Sequence, residues 1–394
     1  MKIVALDAAV IKLPFRFSFK HSLASRNSSE NLIVRARIED GGKTFTGYGE
    51  GIPRDYVTGE TIDSALNRLK TDFLPRFLNR RFADSEDLIQ SLQSEFLDLG
   101  LDKQPTGAAW CPLELSLMDV LGHQEGKSVT EYLGGAKQCY SNSGIKYGGV
   151  IPFGGKRAVM AILWFYKFFG FDTIKIKLGK DDQSDLELLR MARSVVGDET
   201  ILRVDINCAW NAEQTIRMAE KMRKYNIVSI EQPVPADDLE GLARITRSIP
   251  ELVMVDESLC TIEQAKILAS EKICSAFNVR VSKVGGLLAA RQIVKIGRDN
   301  GMKIQMGAQV GESGLLSAAG RAFAACHEPF DNYEGSNNMF LLKRDLTEEN
   351  LNVGFGGRAR LLKGPGLGVT VKSTDLAELM NVSEVDNRNL VASN

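Results

Sequence analysis

From about residue 139 the chain alternates short apolar runs, polar at every second position, with longer stretches of helical spacing. The runs TIKIKL (173–178), ILRVDI (201–206), IVSIEQ (227–232), LVMVDE (252–257), AFNVRVS (276–282) and KIQMGA (303–308) read as strands. Asp185–Val196, Ala212–Lys224, Leu239–Ser248, Thr261–Glu271 and Leu287–Asn300 read as helices between them. Adding GIKYGG (144–149) and FDNYEG (330–335) gives eight strands, which predicts an α/β protein built on a modified (β/α)8 barrel of the TIM type. An open doubly wound sheet is the alternative, but no strand runs into a phosphate-cradling GxGxxG or GxxxxGK[ST] turn.

The earlier part of the chain has a different texture. Residues 31–39 alternate, turn at Asp40-Gly41-Gly42, and are followed by a second strand-like run from Thr46 to Glu50. Helical periodicity then takes over through Ala65, Leu66 and Leu69, through Leu88, Leu92 and Phe96, and from Trp110 to Leu121. This reads as an α+β module. The expected division is 1–130 as that capping module, 131–355 as the barrel, and 356–394 as a tail whose GPGLGVTV (364–371) resembles a closing strand that returns to the cap.

Composition narrows the classes. With 394 residues, 44% hydrophobic and 25% charged, the chain is globular rather than disordered. The net charge of −1 offers no field to attract nucleic acid or an anionic membrane. No apolar stretch reaches the ~20 residues that span a bilayer. MKIVALDAAVIKLPF carries Asp7 within its apolar run and lacks a cleavage-like site, so no signal peptide is expected. Six scattered cysteines without a CxxC pair point to reduced thiols and a cytoplasmic location.

Polar residues recur at the C-terminal ends of the strands, where barrel enzymes keep their sites. Asp205, Glu231 and Asp256 lie one strand–helix unit apart, so they stand on three adjacent strands at the same expected height. Three converging carboxylates need a cation, and a hard divalent ion, Mg²⁺, suits an all-oxygen donor set. Each acid alone would more often be a helix cap or ion-pair partner. Asn207 supports the metal or substrate, or serves a turn. Lys175 and Lys177 share one face of their strand, the inner one, because Ile174, Ile176 and Leu178 cover the outer. Their mutual proximity and burial are expected to lower a lysine pKa enough to make a general base. Arg280, from strand six across the barrel, either steadies a carboxylate or enolate or forms a salt bridge to Asp256 or Glu312. Lys283 falls at the wrong parity and is expected at the start of a loop or helix. Together these residues predict removal of the α-proton of a metal-bound carboxylate by a lysine, the chemistry of enolase-type sites.

The motifs KIK (175–177), VDIN (204–207), IEQP (230–233), VDES (255–258), VRVSKVGG (279–286), GAQVGES (307–313) and GPGLGV (364–369) resemble the enolase superfamily, specifically its muconate-lactonizing-enzyme-like subgroup. The resemblance implies a barrel capped by an α+β domain, one Mg²⁺ held by Asp205, Glu231 and Asp256, Lys177 as base and Lys175 as its support. It also implies that two cap loops select the substrate, here Phe17–Ser22 and Tyr48–Arg54, with PRDYVTGET (53–61) similar to dipeptide epimerases. Substrate-binding candidates are accordingly Lys20, His21, Tyr56, Asn207, Lys283, Gln309, Glu312 and Asn337. Two departures stand out. Arg280 occupies the position of the subgroup's usual strand-six lysine. Gly335-Ser336-Asn337 stands where dipeptide epimerases carry Asp-x-Asp.

The expected activity is therefore cycloisomerisation or dehydration of a small carboxylate through one-face chemistry by Lys177. Racemisation or epimerisation of an amino-acid derivative or dipeptide is the alternative. A barrel that binds a carboxylate without turnover is the reading from another class. A homo-oligomer is expected from the family.

Overall fold

The structure, a computed structural model, describes residues 1–20, 25–134, 145–326, 329–335 and 338–372. The chain opens with an antiparallel meander of β1 (Lys2–Lys20), β2 (Ser25–Asp40) and β3 (Lys43–Gly51). The 19-residue β1 was not foreseen as a strand. Along it Ala9, Ile11, Leu13 and Phe15 are buried at every second position, the period of a half-buried strand. Helix Gly107–Glu125 lies against β3. The alternation Gly47-Tyr-Gly-Glu-Gly51 permits this, because a Cβ on any of the three glycines would collide with the backbone of Ala108, Pro112, Ser116 or Val120. Glu50 is thereby left to face the barrel.

The barrel is an eight-stranded parallel sheet. Before it, β4 (Ile145–Lys146) pairs antiparallel with β13 (Arg358–Ala359). The sheet proper runs β5 (Gly149–Ile151), β6 (Thr173–Lys177), β7 (Ile201–Asp205), β8 (Ile227–Glu231), β9 (Leu252–Val255), β10 (Ala276–Val279), β11 (Lys303–Met306) and β12 (Asn332–Tyr333), neighbours in that order. Gly148 N–H donates to Tyr333 O at 2.9 Å, joining the first strand's entry to the last strand. GIKYGG therefore divides into two elements: only its last glycine belongs to the barrel.

Helices Leu239–Ser248, Ile262–Ser270 and Leu287–Asp299 fall within a residue of expectation. Thr261 caps its helix with a reciprocal Thr–Gln264 box, and Asp238 and Asn211 cap theirs. The GPGLGVTV segment forms no strand. It makes isolated bridges, and Leu367 N–H donates to Asp119 Oδ1 at 2.7 Å on the cap helix. Cys111, Cys208, Cys260, Cys274 and Cys326 are free thiols, and no described helix is long and apolar enough to cross a membrane.

Three buried carboxylates of the capping module hold helix N-termini. Glu60 accepts Ala108 and Ala109 N–H at 3.1 and 2.9 Å, at the start of helix Gly107–Glu125. Glu114 accepts Leu287 and Leu288 N–H at 2.5 and 3.2 Å. Glu50 accepts Ser313 N–H at 3.0 Å and Leu316 N–H at 2.9 Å, beneath helix Gly314–Ala325. Orphan N–H groups and the positive helix end favour an acid at each place.

Candidate active site

Parallel register sets the floor of the site. Lys177 pairs with Asp205, and Asp205 with Glu231, so these three stand at one level. Glu231 pairs with Met254, which puts Asp256 just beyond the end of β9 and one pleat higher than expected. All three acids are buried, at 0, 1 and 0% exposure.

Each is matched to a cation. Lys175 Nζ lies 3.0 Å from both Glu231 oxygens, 2.7 Å from Glu334 Oε2 and 3.5 Å from Asp205 Oδ2. Lys177 Nζ donates to Asp205 Oδ2 at 2.8 Å and Asn207 Oδ1 at 2.6 Å. The Arg280 guanidinium pairs with Asp256 Oδ2 and donates to Gln309 Oε1 at 3.1 Å. Lys283 Nζ donates to Asp256 Oδ1 at 2.7 Å and to the Asp256 and Asn278 carbonyls at 2.6 and 3.1 Å. Glu231 additionally accepts Asn278 Nδ2 at 2.8 Å.

These contacts correct the expected lysine electrostatics. Burial alone would lower the Lys175 pKa, but Glu231, Glu334 and Asp205 outweigh it and hold the ammonium above its ordinary range. Burial works upward on Asp205 and is overcome by Lys177 and Lys175, so that carboxyl sits below its usual value. Asp256 is likewise lowered against burial, by Arg280 and Lys283. Burial pushes Glu231 up to about 7, opposed by Lys175 and aided by Asp205 and Glu334. Burial and then Asp256 push Glu257 up to about 8. Arg280 is held above its ordinary value because Asp256, Glu257 and Glu231 outweigh its burial, so its proton is firmly kept.

The donor set is chemically suited to a hard divalent cation: three carboxylates on consecutive strands, beside Glu257 Oε2, an oxygen buried without a hydrogen-bond partner. Among the described residues, however, no three acidic, histidine or cysteine side chains already converge on one point. The acids are linked through Lys175 and Arg280 instead, so a cation would compete with those ammonium and guanidinium contacts.

A cavity of about 300 Å³ opens above this floor, lined by Lys175, Lys177, Arg280, Gln309, Glu312 and Glu334 at its base. Asn207 is buried beside Lys177 with a left-handed φ of 43°. Lys283 is fully buried and does not line the cavity. Tyr56 lies outside it too, under the Arg26 guanidinium at 5.7 Å. Phe17 and Phe19 of the expected cap loop do reach the cavity. The Lys20 side chain, His21 and Asn337 lie outside the described residues. Glu334, Arg203, Asn278 and Gln305 were not singled out from sequence. Each stands in phase with a chosen residue or at a strand end, and that alternation was the available signal. Arg203 bonds Gln305 and Glu334, the latter at 3.0 Å.

Fold and floor together define a capped β/α-barrel enzyme with a buried acid–lysine site. The chain belongs to the enolase superfamily: residues 165–375 match the family described as Enolase C-terminal domain-like. Its relatives in sequence are racemases and epimerases, and muconate-lactonizing enzymes share its fold. The N-succinyl-L-Arg/Lys racemase of Bacillus cereus is 27% identical over 380 residues, covering 96% of this chain and 98% of the relative. A dipeptide epimerase of Enterococcus faecalis, solved with Mg and the dipeptide L-Leu-L-Tyr, superposes with a TM-score of 0.83 at 23% identity over 94% of this chain and 100% of that one. The muconate lactonizing enzyme of Pseudomonas fluorescens gives 0.85 at 22% identity, covering 96% and 98%. The last two establish the shared fold.

Proposed function

We propose that this chain is a Mg²⁺-dependent isomerase that removes the α-proton of an N-substituted amino acid or dipeptide, with Lys177 as base, and inverts the centre by reprotonation from the opposite face. The observation that carries this is Lys177 Nζ at the cavity floor, fixed by Asp205 and Asn207 and placed across the barrel from Arg280. The named activities of the relatives favour inversion over the cycloisomerisation or dehydration expected from Arg280 alone.

Asp205, Glu231 and Asp256 would hold the cation, which when bound supplies a Lewis acid for the substrate carboxylate and its enolate charge. Lys175 keeps its proton, neutralising Glu231 and Glu334 and so placing Glu231. Lys177 takes the α-proton on one face and passes it to solvent, and a water on the opposite face donates the proton that completes inversion. Arg280 offers a fixed positive charge to the opposite face.

A second reading is favoured by that same arginine. A guanidinium locked on Asp256 is a poor proton donor, which suits one-face cycloisomerisation or syn elimination. Exchange in D₂O separates the two: both enantiomers exchange in an epimerase, one in a one-face enzyme. Lys177→Met should lower α-proton exchange by about 10²–10⁴-fold while Mg²⁺ binding, read by calorimetry, persists. Undiminished exchange in that variant would remove Lys177 from its role. The reading is completed by residues 1–130 as the specificity cap, 131–355 as the catalytic barrel, 356–394 as the returning tail, a cytoplasmic location and a homo-oligomer.

A further inference from the structure

The cavity is divided by chemistry. Its charged lining residues, Lys175, Lys177, Arg280, Glu312 and Glu334, all come from the barrel mouth. The rest of its described lining is largely apolar and comes mainly from two stretches of chain. One wall comes from β1, through Phe17 and Phe19, and from Phe340 and Leu341 after the eighth barrel strand. These are fastened together: Phe15 bridges Leu342, Arg16 Nε donates to Leu342 O at 2.8 Å, and Lys343 N–H donates to Pro14 O at 2.9 Å. The facing wall comes from helix Lys156–Phe168, through Ile162, Phe165 and Tyr166.

The polar end of that wall is already satisfied. Tyr166 Oη bonds the Val150 N–H and carbonyl, each at 3.1 Å, so only the ring is presented. Phe165 packs edge-on to Phe340 at 5.8 Å, so the two walls touch there. Phe17, Phe165 and Phe340 remain 51, 39 and 37% exposed, although aromatic rings of this size are normally covered. Among the described lining residues, no charge lies on either wall.

We infer that the substrate carries a large uncharged apolar group, aromatic or branched aliphatic, that lies between these walls while its carboxylate reaches the floor. Among the described residues of these walls a distal ammonium, guanidinium or carboxylate would find no charged partner for its desolvation. This rests on the proposed carboxylate chemistry for the orientation of the ligand, and it names the class of the substrate's other end.

The test uses the full-length protein with MgCl₂ and N-acetyl-, N-butanoyl- and N-hexanoyl-L-phenylalanine, with N-succinyl-L-lysine and L-Ala-L-Glu as charged probes. Binding is measured by calorimetry and α-proton exchange by NMR in D₂O. Affinity should rise about three- to fourfold per buried methylene, with a negative heat-capacity change, and the charged probes should bind at least tenfold more weakly. Phe165→Asp and Phe340→Asp should flatten the chain-length dependence. Phe168→Asp, at a 74% exposed position outside the cavity, should preserve it. A flat series, charged probes bound equally well, or no binding by any probe overturns the inference. Rising affinity without exchange supports the apolar class and sinks the proton-abstraction reading. Equal exchange on apolar and charged probes does the reverse.

Discussion

Asn31 is the most informative residue to perturb, because three parts of the molecule meet on its side chain. It is fully buried on β2. Its amide donates to Glu50 Oε1 at 2.6 Å and to the Gly311 carbonyl at 2.9 Å, and its Oδ1 accepts from Ser29 Oγ. Gly311 belongs to the loop carrying Gln309 and Glu312 into the cavity. Asn31→Ala removes a hydrogen bond to a carboxylate, worth about 1.5–3 kcal/mol, and strands a buried carbonyl, costing about 1–3 kcal/mol. The expected loss is about 3–5 kcal/mol, read by urea unfolding with circular dichroism. Asn31→Asp keeps the shape and exchanges the donor for a second carboxyl. Burial already pushes Glu50 up to about 7, against its hydrogen bonds to Ser313, Leu316 and Asn31. Two carboxyls at hydrogen-bond distance share a proton, so the folded state then binds more protons than the unfolded one. The sign follows: the aspartate variant is least impaired in acid and loses up to about 1.4 kcal/mol more per pH unit as pH rises above the ordinary carboxyl range. A loss below about 1 kcal/mol for the alanine variant, or a pH-independent difference for the aspartate variant, would refute the reasoning.

Three further outcomes are expected. Glu114, raised to about 8 by burial despite its bonds from Leu288 and Leu287, favours the folded state while protonated and destabilises it as pH rises through 8; Glu114→Gln, still able to accept both N–H groups through its Oε1, should flatten the decline of thermal stability between pH 5 and 8.5. Glu334→Gln leaves Arg203, 1% exposed, without its carboxylate and should cost about 3–5 kcal/mol in denaturant unfolding; pairing it with Arg203→Leu should recover part of that loss, and strict additivity would count against the pair. Gly311→Ala places a Cβ against Ser29 at a φ of 93° and should destabilise by at least about 1 kcal/mol, whereas an unchanged unfolding midpoint would show that the loop adjusts freely.

The barrel was legible because each of its strands has an apolar face for the helices and a polar end at the mouth, both properties of neighbouring residues. Partners were not legible for the same reason. KIK sets the face of Lys175 and Lys177 but not what meets them. Glu231 arrives from 56 positions away and Glu334 from the last strand, and they reverse the direction of the Lys175 shift. Glu334 lies inside the expected strand FDNYEG, two positions after Asn332. Asp256 stands above the level that its sequence spacing predicts, because equal spacing in sequence does not impose equal register. Gln232, with a left-handed φ of 35°, donates its N–H to Met254 O, while its side-chain oxygen accepts the Asp256 N–H at 2.9 Å. β1 is hard to read from sequence because Asp7 and Pro14 interrupt its apolar alternation.

The carboxylates of the capping module explain why cap and site form one mechanical object. Helix Leu287–Asp299 begins at Gly286, which has no side chain to cap it, and it follows directly on the segment bearing Arg280 and Lys283. Glu114 supplies the missing acceptor from the other module, and a Cβ at Gly286 would collide with that carboxylate. Helix Gly314–Ala325 follows the segment bearing Gln309 and Glu312, and Glu50 holds its first turn. Ile52 N–H adds a bond to Ser282 Oγ at 2.8 Å, and buried Arg54 donates to Val310 O at 3.0 Å. The cap thus grips the sixth and seventh strand loops, those presenting Arg280 and Gln309 to the cavity, while Phe17 and Phe19 of the same module contribute an apolar wall. The module that carries the apolar wall thus also holds the charged floor, and a β1 substitution that alters the wall is expected to leave the floor unchanged only if Asn31, Glu50, Arg54 and Glu114 stay in place.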